Sequence, residues 1–453
     1  MNTLINKYNV PGPRYTSYPT VPFWQHDNFG ENAWLSSLSD TFETTNTATG
    51  ISLYIHLPYC ESLCTFCGCN KRITKNHQVE KPYIEAVLKE WELYLNHFSE
   101  KPNIAEIHLG GGTPSFFAPE MLDLLINGIL KHTTINSAYE FSFEGHPNNT
   151  SYEHLKTLYD VGFKRVSFGV QDYDPIVQKA IHRIQPFENV RQVTEWSRAI
   201  GYESISHDLV FGLPFQQVSS IEDTIAKTIE LQPDRLAFYS YAHVPWIKGS
   251  GQRGFKDEDL PSAEQKRKLY ETGRMLFEEN GYVEIGMDHF ALPHDSMYKA
   301  MQNVTLNRNF MGYATTQTKV LLGLGVSSIS DSWSAFSQNV KDIDEYQNMI
   351  ANNELPILKG HILTEEDLTV RQQILDIMCQ FATSWDDEEF SFEEKQTLFE
   401  KLEGFQQDGL LTYDANSLEV NTVGRPFIRN ICMAFDKRML QANTAKKLFS
   451  QTV

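Results

Sequence analysis

Ser-Leu-Tyr-Ile-His-Leu-Pro-Tyr-Cys-Glu-Ser-Leu-Cys-Thr-Phe-Cys-Gly-Cys-Asn, residues 52–70, runs from a short β-rich segment into a cysteine cluster: Cys60, Cys64, Cys67 and Cys69. The whole chain has six cysteines, the other two being Cys379 and Cys432. The first three follow a C-x3-C-x2-C spacing, and a short loop of this kind can wrap three thiolates around one face of a cubane iron–sulfur cluster. Such a cluster has four irons, so one stays open to a small molecule. Three plainer readings stand beside this one. Disulfides are disfavoured, because the chain starts Met-Asn-Thr-Leu-Ile-Asn-Lys without an apolar signal core and a cytosol keeps thiols reduced. Zinc accepts four thiolates, but its knuckles usually come as two C-x2-C pairs, and here there is one pair with flanking singles. A buried, inert set of thiols fits poorly with four in one loop.

Working outward, residues from about 50 to 245 alternate β-rich runs with helical patterns, as βα units around a parallel sheet do. The expected strands are 52–56, 105–109, 140–144, 165–169, 206–211 and 235–239. Helical patterns cover 79–98, 119–131, 152–159, 187–200 and 221–230. Six units are too few for a closed eight-fold barrel, so the expected fold is α/β, a partial (β/α)6 TIM-like barrel. The unusual residues fall at or just after the ends of these strands: the cysteine loop, Gly110-Gly111-Gly112-Thr113-Pro114, Glu144 closing the third, Gln171 with Asp172, and Tyr241-Ala242-His243, with Asp208 within the fifth strand. Parallel α/β folds bind ligands at the carboxyl ends of their strands, so these groups point to one composite site.

The glycine run lets backbone amides approach a ligand. It lacks the Gly-Lys-Ser/Thr of a P-loop and the G-x-G-x-x-G of a dinucleotide fold. Glu144 and Asp208 suit an amino group or a ribose diol; taken singly, each could equally be a cap partner or a surface ion pair. Arg183 and Gln171 suit a carboxylate or an adenine edge. His56 and His108 lie on strands, where a histidine is more often structural than ligating, and Tyr54 shares the face of His56.

The length of 453 residues fits two or three domains, and 41% apolar with 21% charged residues describes an ordinary globular chain. No apolar run reaches about eighteen residues, so no membrane span is expected. The net charge of −19 argues against a general nucleic-acid or anionic-membrane binder. Toward the end, a helix–helix–hairpin order (364–380, 392–406, then 410–413 with 418–420) and a closing helix over 424–436 suggest a mostly helical, winged-helix-like domain. From Glu365 onward there are 16 acidic against 9 basic residues, so a structural or lid role fits better than DNA reading.

The cysteine loop followed by Gly-Gly-Gly-Thr-Pro resembles the radical S-adenosylmethionine enzymes. A closer resemblance, to the oxygen-independent coproporphyrinogen III oxidase family, is carried by Tyr8-Asn-Val-Pro-Gly-Pro-Arg-Tyr-Thr-Ser-Tyr-Pro19, Cys67-Gly-Cys-Asn-Lys71, Gly169-Val-Gln-Asp172, Gly286-Met-Asp-His-Phe290 and Ile428-Arg-Asn-Ile-Cys-Met433. These motifs span residues 8 to 433. The resemblance implies that Cys60, Cys64 and Cys67 ligate a [4Fe-4S] cluster, and that Cys69 is a separate catalytic requirement. It implies two S-adenosylmethionine molecules: one at Tyr54, Phe66, Gly111, Glu144 and Ile329, the other at Gly112, Thr113, Gln171, Arg183, Asp208 and Ala242. A 5′-deoxyadenosyl radical would then take hydrogen from a propionate, and loss of carbon dioxide and an electron would leave a vinyl group. Two rounds convert coproporphyrinogen III to protoporphyrinogen IX.

The implied organisation is an N-terminal extension (1–50) covering the site, the barrel core (51–245), a barrel-completing and connecting segment (246–360) and the C-terminal helical domain (361–453). The implied partners are coproporphyrinogen III and a low-potential electron donor such as a flavodoxin or ferredoxin, with no nucleic acid. The expected setting is a cytoplasmic monomer. Four substrate carboxylates call for local cations; Arg14 and Lys71 are candidates because they lie within the motifs, and Arg72 and Arg253 are further ones. Two departures are visible. Glu144-Gly-His-Pro147 stands where the family has Glu-Val-Asp-Pro, and Ala434 stands where it has a cysteine. Competing readings are another tetrapyrrole-directed radical enzyme such as a ring-opening methyltransferase, a haem-carrying chaperone, and a zinc-stabilised interaction module. Cys379 and Cys432 read as buried, structural thiols.

Overall fold

The computed structural model describes residues 2–25, 29–245, 252, 254–441 and 448–452. All six expected strands are present, each lengthened at one or both ends: β1 (Ile51–Leu57), β2 (Asn103–Gly111), β3 (Thr134–Gly145), β4 (Arg165–Gln171), β5 (Ser204–Phe211) and β6 (Arg235–Ser240). They pair in parallel in that order. The crossover helices include Glu80–Leu95, Pro119–Leu130, Tyr152–Asp160, Phe187–Ile200 and Val218–Glu230.

Side chains alternate across each strand. Outward positions such as Leu53, Ile55, Ile107, Leu109, Phe141, Phe143 and Phe168 are fully buried against the helices. Inward positions are polar and form two levels. Near the amino ends of the strands, Glu140 pairs with Arg165 and, at 3.6 Å, with Arg235; Arg235 also donates to Asp295 at 2.6 Å. Glu106 accepts there from Ser52 and Thr316. Nearer the carboxyl ends stand Tyr54, His56, His108, Glu144, Ser167 and Asp208. A polar inner face keeps this interior from closing into an apolar plug, which leaves room for a site.

The sheet is wider than the six units. It gains β7 (Val283–Gly286) and β8 (His289–Ala291) beyond β6, and β9 (Val320–Leu324), β10 (Ile329–Asp331), β11 (Ala335–Asn339) and β12 (Ile357–Ile362) beyond β1, giving the order β12-β11-β10-β9-β1-β2-β3-β4-β5-β6-β8-β7. Strand β9 is parallel to β1; the other added pairings are antiparallel. The first and last strands do not meet, so the barrel is open, as expected of a partial (β/α) barrel.

Farther on, helices Glu365–Gln380 and Phe392–Gln407 pack beside a three-stranded antiparallel sheet of β13 (Ala382–Ser384), β14 (Leu411–Tyr413) and β15 (Ser417–Val420), ordered β13-β15-β14. The expected hairpin is β14–β15, and β13 is an addition. The closing helix resolves into a short 3-10 turn, Arg425–Phe427, and helix Ile428–Phe435. Cys379 and Cys432 are buried here, as is Ala434. Tyr8, Tyr15 and Tyr18 of the N-terminal segment belong to the same core. Arg429 fixes that segment: it donates to the carbonyls of Gly12, Pro13 (2.8 Å) and Gln451 (3.0 Å), while Thr452 donates to Tyr8 O at 2.6 Å. Among the described residues no helix is long and apolar enough to cross a membrane.

Candidate active site

The cysteine loop leaves β1 at Pro58 and is tied down along its length. Arg72 N–H donates to Pro58 O (2.8 Å), Thr74 N–H to Cys60 O (2.9 Å) and Thr65 N–H to Ile181 O (3.0 Å). Lys71 Nζ reaches the carbonyls of Cys67 and Cys69 at 3.2 and 3.3 Å, and His56 Nε2 lies 2.9 Å from Asn70 O. The loop therefore holds its sulfurs toward a cleft of about 900 Å³, counted to its open mouth. Cys60 Sγ is 3.2 Å from Thr113 Oγ1. A hydrogen bond from the Cys69 thiol holds the Cys67 thiol below its ordinary range, against the effect of burial. Burial pushes Cys60 up to about 11, only partly opposed by Thr113.

The glycine turn faces the loop at the end of β2. Gly111 sits at φ +112°, and a Cβ there would come within 2.7 Å of the His56 ring. A Cβ on Gly112 would lie 2.6 Å from the Pro58 carbonyl carbon. Gly112 N–H donates to Leu57 O (2.8 Å) and Thr113 N–H to Tyr59 O (3.0 Å), so the turn is bonded to the end of β1.

Two carboxylates stand on the far side with opposite tendencies. Burial raises Glu144, but His108 (Nε2 at 3.4 Å), the Gly111 N–H and His56 outweigh it and leave the carboxyl below its ordinary range. Glu144 lies deep in the fold yet faces the cleft, with 47% of its side chain accessible. Asp208 is pushed up to about 7 by burial, against the 2.7 Å hydrogen bond from Ser167, with the charge of Glu144 adding to the rise. Arg183 donates to Gly169 O at 2.5 Å and lies 3.8 Å from Cys64 Sγ; among the described residues its buried Nε has no partner. Gln171 adopts φ +68° where β4 ends.

Cys60, Cys64, Phe66, Cys67, Cys69, Lys71, Gly111, Gly112, Thr113, Glu144, Gln171, Arg183 and Asp208 all line this one cleft. Ala242 and Phe66 are joined through Gln252 Nε2, which donates to both their carbonyls at 3.0 Å. Tyr54 is set below, 6.1 Å from the His108 ring and 3.1 Å from His56 Nδ1 through its hydroxyl. Tyr54 is level with Gly323 of β9, and Gly323 abuts Ile329 too closely for a Cβ. Ile329 packs with the Trp24 cluster and does not line the cleft. Arg14 lies at a separate cavity, paired with Asp288.

Residues 54–227 match the Radical SAM superfamily. Over 99% of the chain, the sequence is 37% identical to the oxygen-independent coproporphyrinogen III oxidases of Pseudomonas aeruginosa and Helicobacter pylori, covering 98% of each. The solved structure of the Escherichia coli coproporphyrinogen III oxidase, described as a radical SAM enzyme, superposes with a TM-score of 0.88 at 33% identity, over 96% of this chain and 98% of that one.

This chain belongs to the oxygen-independent coproporphyrinogen III oxidase family.

The cofactors of this family are a [4Fe-4S] cluster and S-adenosylmethionine, and the cleft fits them. Three thiols from one loop face it, a glycine cradle stands opposite with no space for a Cβ, and a buried arginine nitrogen lacks a partner among the described residues. Among the described residues no three His, Cys, Asp or Glu side chains gather around a single metal ion; a cubane held at its corners does not require that.

His146, standing where the family pattern has Asp, lines the cleft and accepts from Asn148 N–H at 3.2 Å. Burial, then the charge of Arg183, holds it down to about 3, so it stays neutral. Arg183 thus has no carboxylate from this turn.

Some expectations changed on folding. Asp172 is fully buried and takes hydrogen bonds from Gln216 and Thr224, away from the cleft. The backbone turn at Gln171 reverses the strand's alternation, which aims the next side chain into the core. Arg72 forms a two-point pair with Asp344 on the surface, and Arg253 lies outside the described residues. His108 and Ser167, which hold the two carboxylates, were not singled out as ligand-site residues; their inward parity with Glu144 and Asp208 was the available signal.

Proposed function

We propose that this protein catalyses the oxygen-independent oxidative decarboxylation of two propionate side chains of coproporphyrinogen III to vinyl groups, giving protoporphyrinogen IX in porphyrin biosynthesis. The observation that carries this reading is one cleft joining a three-cysteine loop, a glycine cradle and two carboxylates, in a chain matching oxidases of that name from end to end. Cys60, Cys64 and Cys67 hold the cluster, and Cys69, beside it and open to the cleft, acts in catalysis without ligating iron. Bound there, the cluster and S-adenosylmethionine supply a one-electron cleavage that yields a carbon radical able to take hydrogen from a propionate arm.

The remaining residues orient and exclude. Phe66, Gly111 and Glu144 form a first S-adenosylmethionine site backed by Tyr54 and Ile329, in which ionised Glu144 suits the ammonium group. Gly112, Thr113, Gln171, Arg183, Asp208 and Ala242 form a second, where the free Nε of Arg183 suits a carboxylate or an adenine edge. Arg14 and Lys71 attract substrate carboxylates. A low-potential flavodoxin or ferredoxin supplies electrons, and the protein works as a cytoplasmic monomer. This placement rests on the likeness to the family.

The test is anaerobic turnover of reconstituted protein with a reductant, S-adenosylmethionine and coproporphyrinogen III, following 5′-deoxyadenosine and protoporphyrinogen together. Both products should form, and both should vanish in Cys64→Ala along with part of the bound iron. 5′-Deoxyadenosine without protoporphyrinogen would redirect the enzyme to another tetrapyrrole. Neither product, with haem retained, would overturn the enzymatic reading.

A further inference from the structure

Beside the cysteine cleft the same rim carries a second cavity, about 570 Å³ counted to its open mouth. Its floor includes Phe211 and Ser240, the last residues of β5 and β6. Over them converge Arg14 from the N-terminal segment, Arg267 from helix Ala263–Glu279, and Arg425 and Arg429 from the C-terminal region, with Glu284 and Asp288 as the acidic members.

The charges do not balance. Arg14 pairs with Asp288 and Arg267 with Glu271, although among the described residues the buried Nε of Arg267 has no partner. Arg429 is committed to backbone carbonyls. Among the described residues Arg425 makes no ion pair; its guanidinium lies 4.1 Å from the Phe381 ring centroid, and its Nε is also unpartnered. Glu284 takes a 2.8 Å hydrogen bond from Tyr270, and burial raises its carboxyl although that bond and the charges of Arg274 and Arg425 oppose the rise. Lys266, alongside, is held down to about 8 by burial and then by Arg429 and Arg14, with Asp288 opposing. A chain of net charge −19 therefore gathers uncompensated positive charge at one point of its rim.

The cavity and the cleft are neighbours. Asp208 of the cleft and Phe211 of the cavity lie three residues apart on β5, about 10 Å along a strand. The Arg14 guanidinium stands 5.9 Å from the ring of Tyr239, on the adjoining β6. A ligand reaching both places is broad and carries more than one anionic arm. We infer that the arginine cavity binds a propionate carboxylate of the tetrapyrrole other than the one reacting, with Arg425 as its main contact. That carboxylate anchors the ring while a different arm enters the cleft. The planar guanidinium fork suits a carboxylate in two-point contact. This inference rests on the function proposed above.

The experiment measures anaerobic steady-state kinetics with coproporphyrinogen III. Arg425→Met keeps an apolar stem against Phe381 and removes the charge. The KM should rise about tenfold, the effect of losing one charge-assisted contact. The cleavage of S-adenosylmethionine to 5′-deoxyadenosine by chemical reductant without substrate should be unchanged, and Arg425→Lys should recover part of the loss. Met287→Glu, which adds a carboxylate at the cavity wall, should raise KM in the same way. Parental KM in both variants, with thermal unfolding like the parent's, overturns the inference and leaves the oxidase reading intact. A parent that cleaves S-adenosylmethionine but never consumes coproporphyrinogen III overturns both.

Discussion

Substituting Gly112→Ala tests whether the glycine turn is set by close contact with β1. The added Cβ would meet the Pro58 carbonyl carbon at 2.6 Å, its oxygen at 2.8 Å and Leu57 O at 2.9 Å, all backbone atoms that no rotamer change can move. Carbon atoms rest at about 3.5 Å, so the turn must retreat by about 0.9 Å. That movement stretches the bonds from Gly112 N–H to Leu57 O (2.8 Å) and from Thr113 N–H to Tyr59 O (3.0 Å) past ordinary hydrogen-bond length. Strain of this kind costs about 1–3 kcal/mol, which a chain of this size tolerates. Function is more exposed, because a misplacement near 1 Å at a positioning site costs about a hundredfold in rate. The expected outcome is a folded protein whose reductive formation of 5′-deoxyadenosine, assayed anaerobically with excess reductant, falls about a hundredfold. A variant within about twofold of the parent would refute the steric argument, since that shift cannot leave the bound geometry intact.

Two buried glutamates should respond to pH in opposite directions. Glu90 accepts from Gly325 N–H, Asn339 and Tyr346, yet burial pushes its carboxyl up to about 7. Its folded pKa exceeds the unfolded one, so its stabilising effect is full below the ordinary glutamate range and is lost as pH rises through about 7. Glu90→Gln should therefore lessen the fall in stability between acidic and neutral pH by about 2–3 kcal/mol in urea unfolding; an unchanged fall refutes the assignment. For Glu140, Arg165 and Arg235 overcome burial and hold the carboxyl at about 2. Its stabilising effect is present above the ordinary range and is lost as pH falls through about 2. Glu140→Gln should cost about 3 kcal/mol at neutral pH, with the difference from the parent closing in acid; a pH-independent cost would count against it.

The parallel core was legible because each of its strands combines a β-rich run with a following turn signal, and helix Phe187–Ile200 was bounded to the residue. The widened sheet was not. Strands such as His289–Ala291 and Ile329–Asp331 are three residues long, and β10 meets β9 at a single register pair, Leu321 with Asp331. Segments that short carry no periodicity and exist because the sheet edge recruits them. For the site, residue types at strand ends led to most of the cleft; Asp172 follows a backbone reversal that composition does not announce, and Tyr241 packs into an apolar cluster while His243 pairs with Asp257 outside the cleft. The arginine cavity joins residues from 14 to 452, so its pattern exists only in space.

The clasp between the two ends of the chain bears on how the enzyme is made. Thr452 holds Tyr8 across 444 residues, and Arg429 holds Gly12 across 417. A ribosome releases the segment carrying Arg14 first and its partners last. The barrel can assemble from its own local pairings while that segment stays unattached, because contacts so distant in sequence form late. The rim at Arg14 closes only when residue 452 has emerged. A polypeptide stopped short of residue 429 would keep its cysteine loop but leave the segment carrying Arg14 without these anchors.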